Sequence, residues 1–163
     1  MLICVTGTPG TGKTTLAKLL AKELKLPYVE LGELVKKHKL HEGFDASTQS
    51  FVVDTRKLVR FLRKERFLSA AAVLDSHLSH ELPAKSVDIC IVTTCDLKEL
   101  EKRLTKRKYG KKKVRENLDA EIFETSLTEA REKGHRVLIF DTTQGIKSGA
   151  FRKLLGELRA SSS

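Results

Sequence analysis

The 163-residue chain has no long hydrophobic run. No segment reaches the ~18 uncharged apolar residues that a membrane-crossing helix needs, so no membrane association is expected. The opening MLICVTGTPG has no basic region, apolar h-region or cleavage site. A secretory signal is therefore not expected, and a cytoplasmic location is. Cysteine is scarce and odd in number: Cys4, Cys90 and Cys95. No second pair completes a zinc knuckle, and Cys4 and Cys90 sit in apolar runs, so they read as buried small hydrophobes or free thiols. There is no Pro- or Gly-rich linker and no internal repeat.

What remains is an ordinary globular composition, 40% hydrophobic and 32% charged, in a chain long enough for one domain with a real core. Acidic residues are outnumbered, and the formal net charge is +10. Part of the excess is local. LEKRLTKRKYGKKKVR, residues 100–115, is dense in Lys and Arg and has one acid, Glu101. Such a stretch is either a solvated basic face or a surface that meets phosphate, of a nucleotide or of RNA.

Five short apolar runs read as strands: 2–6, 28–31, 71–75, 88–94 and 136–141. Helical spacing marks 16–25 and roughly 33–38, 54–66, 96–107, 114–133 and 147–159. The alternation predicts an α/β fold, a mostly parallel five-stranded sheet with helices on both faces in three layers, whose ligands bind beyond the carboxyl ends of the strands. Residues 38–53 are poorly periodic and read as a loop, and 161–163 read as a frayed tail.

Gly7-Thr8-Pro9-Gly10-Thr11-Gly12-Lys13-Thr14 satisfies G-x-x-x-x-G-K-[ST] between a predicted strand and a predicted helix, the context that makes the motif specific. Glycines let the backbone wrap a phosphate, and the helix start adds its positive end. Lys13 is the candidate cation for the β/γ-phosphates, Thr14 the candidate Mg²⁺ ligand, and Thr15 continues the nucleotide side. A nucleotide enzyme of this kind needs a second metal-side acid at the end of a neighbouring strand. Asp75, closing AAVLD, is the candidate, and His77 follows where it could face the γ-phosphate or a water. The plainer readings are a helix cap for Asp75 and a structural or surface histidine for His77. A histidine metal site with His80 is disfavoured, since Mg²⁺ prefers oxygen.

A regulatory GTPase is disfavoured by two absences. Asp75-Ser76-His77-Leu78 lacks the glycine of D-x-x-G, and Thr93-Thr94-Cys95-Asp96 lacks the lysine of N-K-x-D. A small-acceptor kinase predicts instead a pair of cations on one helical face over the transferring phosphoryl group. Arg103 and Arg107, spaced i and i+4, qualify, although an exposed basic helix end would look the same. Tyr109-Gly110 then breaks the helix before Lys111-Lys112-Lys113 and Arg115.

LICVTGTPGTGKTTLAK, VELGELVKKHKLHEGFD, VLDSH and KRLTKRKYGKKKVRENLDAEIF, in this order and spacing, resemble the small atypical adenylate kinases of small-ribosomal-subunit maturation in archaea and eukaryotic nuclei. The resemblance spans almost the whole chain. It implies a nucleoside-monophosphate-kinase domain with its core at 1–30, 66–105 and 117–160, a monophosphate-binding segment at about 31–65 and a short lid at about 106–116. It implies ATP and AMP as substrates with Mg²⁺, an ATPase activity, a small-subunit ribosomal protein and possible rRNA as partners, and a nuclear location in a eukaryote. Gly32, Leu34 and Lys36 match the AMP-side stretch, with Glu33 between. Asp75 and His77 match the D-x-H pair associated with ATP hydrolysis, and Arg103 and Arg107 the lid arginines. Backbone groups of Thr142 to Ile146 would face adenine. Two departures stand out: Lys36 replaces the usual arginine and cannot make a forked contact with phosphate, and Tyr109 follows Lys108 where glycine is common. The alternatives are an assembly factor switched by nucleotide, with weak kinase activity, and a kinase for another small acceptor.

Overall fold

A computed structural model of the chain describes residues 1–45 and 50–160. The predicted tail at 161–163 and the middle of the predicted 38–53 loop lie outside the described residues. In chain order the elements are β1 (Leu2–Thr6), α1 (Lys13–Leu24), β2 (Tyr28–Glu30), α2 (Leu31–Lys37), β3 (His41–Asp45), β4 (Ser50–Val53) and α3 (Thr55–Lys64). Then follow β5 (Ala72–Asp75), β6 (Ile89–Thr94), α4 (Leu97–Lys106), α5 (Lys111–Ile122), α6 (Thr125–Glu132), β7 (Val137–Asp141) and α7 (Ser148–Ala160).

The main sheet is five-stranded, in the order β2-β5-β1-β6-β7, and every pair in it is parallel. β1 is buried along its whole length because both faces are covered. Leu2, Cys4, Ala72, Leu74, Cys90 and Val92 face one layer, where α2, α3 and α6 supply Leu31, Val35, Leu58, Leu62, Leu127 and Ala130. Ile3, Val5, Val73, Ile89 and Ile91 face the other, against α1 and α7. This two-sided burial is why the strands read as unbroken apolar runs rather than alternating ones. Cys4, Cys90 and Cys95 are free and buried, and burial raises each thiol pKa.

Two segments differ from the sequence expectation. Within 38–53, β3 and β4 form an antiparallel ribbon, with Phe44 opposite Phe51 and a register irregularity between His41 and Gly43. Its pattern hid because β3 alternates between half-buried and exposed residues, so no continuous apolar face marks it. The predicted helix 114–133 is two helices. The chain turns at Glu124, whose φ is +48°, and α6 restarts at Thr125 to reach the sheet. A third small core joins Leu100 and Leu104 of α4 to Tyr109, Val114 and Leu118, so the basic helical pair packs as one unit beside the main sheet.

Candidate phosphate-binding site

The loop from Gly7 to Lys13 follows β1, at the centre of the sheet. Its shape depends on glycine at Gly7 and Gly10. Gly7 has φ +135°, and a Cβ there would lie 2.5 Å from the Thr93 carbonyl oxygen. Gly10 has φ +97°, and its Cβ would meet Leu100 Cδ1 at 2.8 Å. The loop therefore lies directly on β6 and α4. A buried hydroxyl ladder clamps it. Thr11 Oγ1 donates to the Thr8 carbonyl at 2.7 Å and lies 2.7 Å from Thr93 Oγ1, which contacts the Thr6 carbonyl at 3.1 Å. Thr142 Oγ1 contacts the Thr11 carbonyl at 2.7 Å. Pro9 is half-buried, and Thr14 and Thr15 are exposed at the start of α1.

Lys13 Nζ donates to the Thr8 carbonyl at 3.0 Å, so the ammonium is already folded over the loop. Desolvation lowers its pKa to about 8, with Arg107 adding in the same direction and Asp75 opposing. Thr14 Oγ1 donates to Asp75 Oδ2 at 2.6 Å, and Tyr28 OH donates to the same oxygen at 2.9 Å. Asp75 is 2% exposed. Thr14 and Asp75 thus form an adjacent pair of oxygen donors beside Lys13. That donor set fits Mg²⁺, which takes oxygen ligands and is held by few protein groups. When bound, the ion would draw negative charge from the phosphate oxygens; Thr14 and Asp75 would hold it.

His77 stands beyond β5 and is solvent-exposed. Desolvation between the cleft walls, then the charges of Lys13 and His80, lower its pKa to about 4. Water screens part of this, and the imidazole is neutral at pH 7 in either case. His80 points elsewhere. Its Nδ1 lies 2.8 Å from Thr6 Oγ1 and its Nε2 2.7 Å from Glu129 Oε2, so it pins α6 to β1 rather than joining His77.

One cavity borders the loop and another opens beside His77. On the β7 side, a cavity of about 520 Å³ is lined by Gly10, Gly12, Thr15, Arg103, Arg107 and Thr142. Arg103 is held there: its Nε donates to Glu99 Oε1 at 2.9 Å and its guanidinium to the carbonyls of Thr142 at 2.7 Å and Thr143 at 3.1 Å. Arg107 is exposed at the end of α4. On the β5 side, a cavity of about 280 Å³ is bordered by Gly32, Lys36, Phe44, Phe51, Ser76 and His77. Lys36 Nζ lies 5.9 Å from the Phe51 ring centroid. Leu34, read from sequence beside Gly32 and Lys36, packs against the core instead of bordering this cavity.

Sequence reasoning missed Tyr28 and Thr93, and it singled out Thr142 only for its backbone, not for the hydroxyl that braces the loop. Thr93 and Thr142 lie on or just after β6 and β7, and only the strand order puts them under the loop. Tyr28 reaches Asp75 because β2 pairs with β5.

The AAA-domain family matches residues 3–124. A protein of Methanocaldococcus jannaschii named "Putative adenylate kinase" is 39% identical over 88% of this chain and 77% of its own length. A Dictyostelium discoideum protein named adenylate kinase isoenzyme 6 homolog is 34% identical over 85% of this chain and 79% of its own. Among solved structures, a shikimate kinase from Bacteroides thetaiotaomicron has the same fold, with TM-score 0.60 at 15% identity, covering 98% of this chain and 96% of that one. With its nucleotide loop, parallel sheet and these relatives together, the chain belongs to the P-loop kinase family that includes the adenylate kinase isoenzyme 6 homologues.

Proposed function

We propose that the protein is an adenylate kinase that moves the γ-phosphoryl group of ATP to AMP, with an ATPase activity when water replaces AMP. The observation that carries this is a pair of separate cavities, one bordered by Gly10, Gly12, Thr15 and Arg103 and the other by Lys36, Ser76 and His77, together with the Thr14–Asp75 contact. One cavity suits a donor nucleotide and the other an acceptor. An AMP phosphate oxygen would attack the γ-phosphorus in line as the bond to the β,γ-bridging oxygen breaks, leaving two ADP. Lys13 would neutralise β/γ oxygens, and Arg103 and Arg107 would meet the transferring group. The first turn of α5, Lys111 to Lys113, puts cations at the positive end of a helix that has no side-chain cap. That repulsion is unfavourable in the free protein and would be offset by a polyphosphate.

Lys36 donates as a point charge, so its grip on the acceptor phosphate is weaker than an arginine fork. Neutral His77 would orient a water for hydrolysis. We place the reaction in small-ribosomal-subunit maturation with a ribosomal protein partner, on the resemblance of the 29–45 and 102–123 stretches and the +10 charge.

ADP formation from Mg-ATP, with and without AMP, tests the reading. AMP is expected to stimulate strongly. Turnover that ignores AMP but rises with a small-subunit ribosomal protein would replace the kinase reading with the nucleotide-switch one. His77→Ala is expected to lower AMP-independent hydrolysis while leaving Mg-ATP binding intact; unchanged hydrolysis removes His77 from the mechanism.

A further inference from the structure

A cavity of about 590 Å³ touches the back of the phosphate loop at Gly7, Thr8 and Thr93, and the nucleotide chemistry proposed above assigns it no role. It opens where β6 and β7 end, under the junction of α5 and α6. On this face of the sheet α6 covers the start of β7, at Val137, but not Ile139, which is 51% exposed. Among the described residues six large apolar side chains are exposed, and four gather here: Leu97, Ile122 and Ile139 in the lining and Phe123 next to Ile122. The other two, Phe44 and Val52, lie on the β3–β4 ribbon. A solvent-facing apolar concentration of this kind marks an interaction surface.

Its charge runs against the molecule. The chain carries +10, yet the lining holds Asp96, Glu121, Glu124 and Asp141 and no lysine or arginine. Local structure accounts for part of this. Asp96 caps α4, Glu121 Oε1 accepts the Cys95 N–H at 2.9 Å, and Asp141 accepts from Thr143. These contacts do not account for Glu124, or for the exposure of Ile122, Phe123 and Ile139. The carboxylates repel phosphate, so this face does not suit nucleic acid.

We propose that this groove docks a segment of a partner protein that is cationic and carries apolar anchors, with Arg or Lys side chains meeting the four carboxylates and Leu- or Phe-sized groups covering Ile122, Phe123 and Ile139. The charge complementarity selects that chemistry, and the cavity has the volume of a small-ligand or anchor pocket. The inference does not depend on which acceptor the kinase site takes.

The test uses the full chain and fluorescence anisotropy with a short peptide alternating Arg and Leu. Length-matched Arg/Ser and Asp/Leu peptides are run beside it, together with a single-stranded RNA oligonucleotide. The Arg/Leu peptide is expected to bind saturably and more tightly than both peptide controls, and to weaken with salt. Ile139→Ser, Phe123→Ser and Glu124→Lys are each expected to weaken it about tenfold, with Mg-ATP affinity unchanged as the check that the variants fold. Equal binding by the variants, equal binding of the Arg/Ser peptide, or RNA competing at this face would overturn the proposal. So would sedimentation showing that the patch is covered by a second copy of the chain.

Discussion

Lys13 shows how one residue's environment sets a pH response. Its pKa is lowered from 10.5 to about 8, mainly by desolvation. Between those values the unfolded chain binds the proton more readily than the folded one, so this group makes the free protein more stable as pH rises from about 8 toward 10.5. Nucleotide binding runs the other way. A polyphosphate favours the ammonium, so binding takes up a proton, and affinity for Mg-ATP is expected to fall as pH rises above 8. Calorimetry in two buffers of different ionisation enthalpy should detect that proton uptake near pH 8.5; its absence would mean that Lys13 does not meet the phosphates. At this scale the motif from Gly7 to Thr14 was readable because its chemistry is contiguous in the chain. Tyr28 was not, since a lone tyrosine opening a short strand carries no sign of the aspartate it will meet.

Among the elements, α4 connects the loop to the basic turn before α5. Asp96 caps it through the N–H groups of Lys98 and Glu99 at 3.0 and 3.3 Å. Leu100 and Leu104 then pack under Gly10 and against α5, and Arg103 ties to Thr142 and Thr143. Removing the cap with Asp96→Ala is expected to lower stability by about 1 kcal/mol, read by urea denaturation. If α4 positions Arg103, the same variant also weakens Mg-ATP binding. Element type was largely legible from period: five strands and the helices between them followed from unbroken apolar runs and i, i+4 spacing. The β3–β4 ribbon escaped because its residues alternate between half-exposed and exposed positions with no buried face to reveal a strand. The break at Glu124 escaped because no glycine or proline marks it; a glutamate takes the left-handed turn that lets α6 return to the sheet.

The whole molecule divides its charge by face. Lys and Arg crowd the end of α4 and the start of α5, while carboxylates line the groove behind the loop. Mg-ATP that binds only the folded chain should raise its stability by about 2.7 kcal/mol at a hundredfold excess over Kd. A thermal shift that grows with nucleotide concentration would show this, and Lys13→Ala should lose it. A shift surviving in that variant would mean the nucleotide binds elsewhere. The amino-acid order alone determined the phosphate loop, the parallel α/β class and the Asp75 strand end, because each depends on residues near one another in the chain. Only tertiary structure decided that Tyr28 and Thr14 share Asp75, that Thr93 and Thr142 brace the loop, and that an acidic apolar groove opens behind it. Those depend on the strand order β2-β5-β1-β6-β7, which brings together residues separated by up to 131 positions, and long-range burial, unlike local spacing, leaves no periodic mark on the sequence.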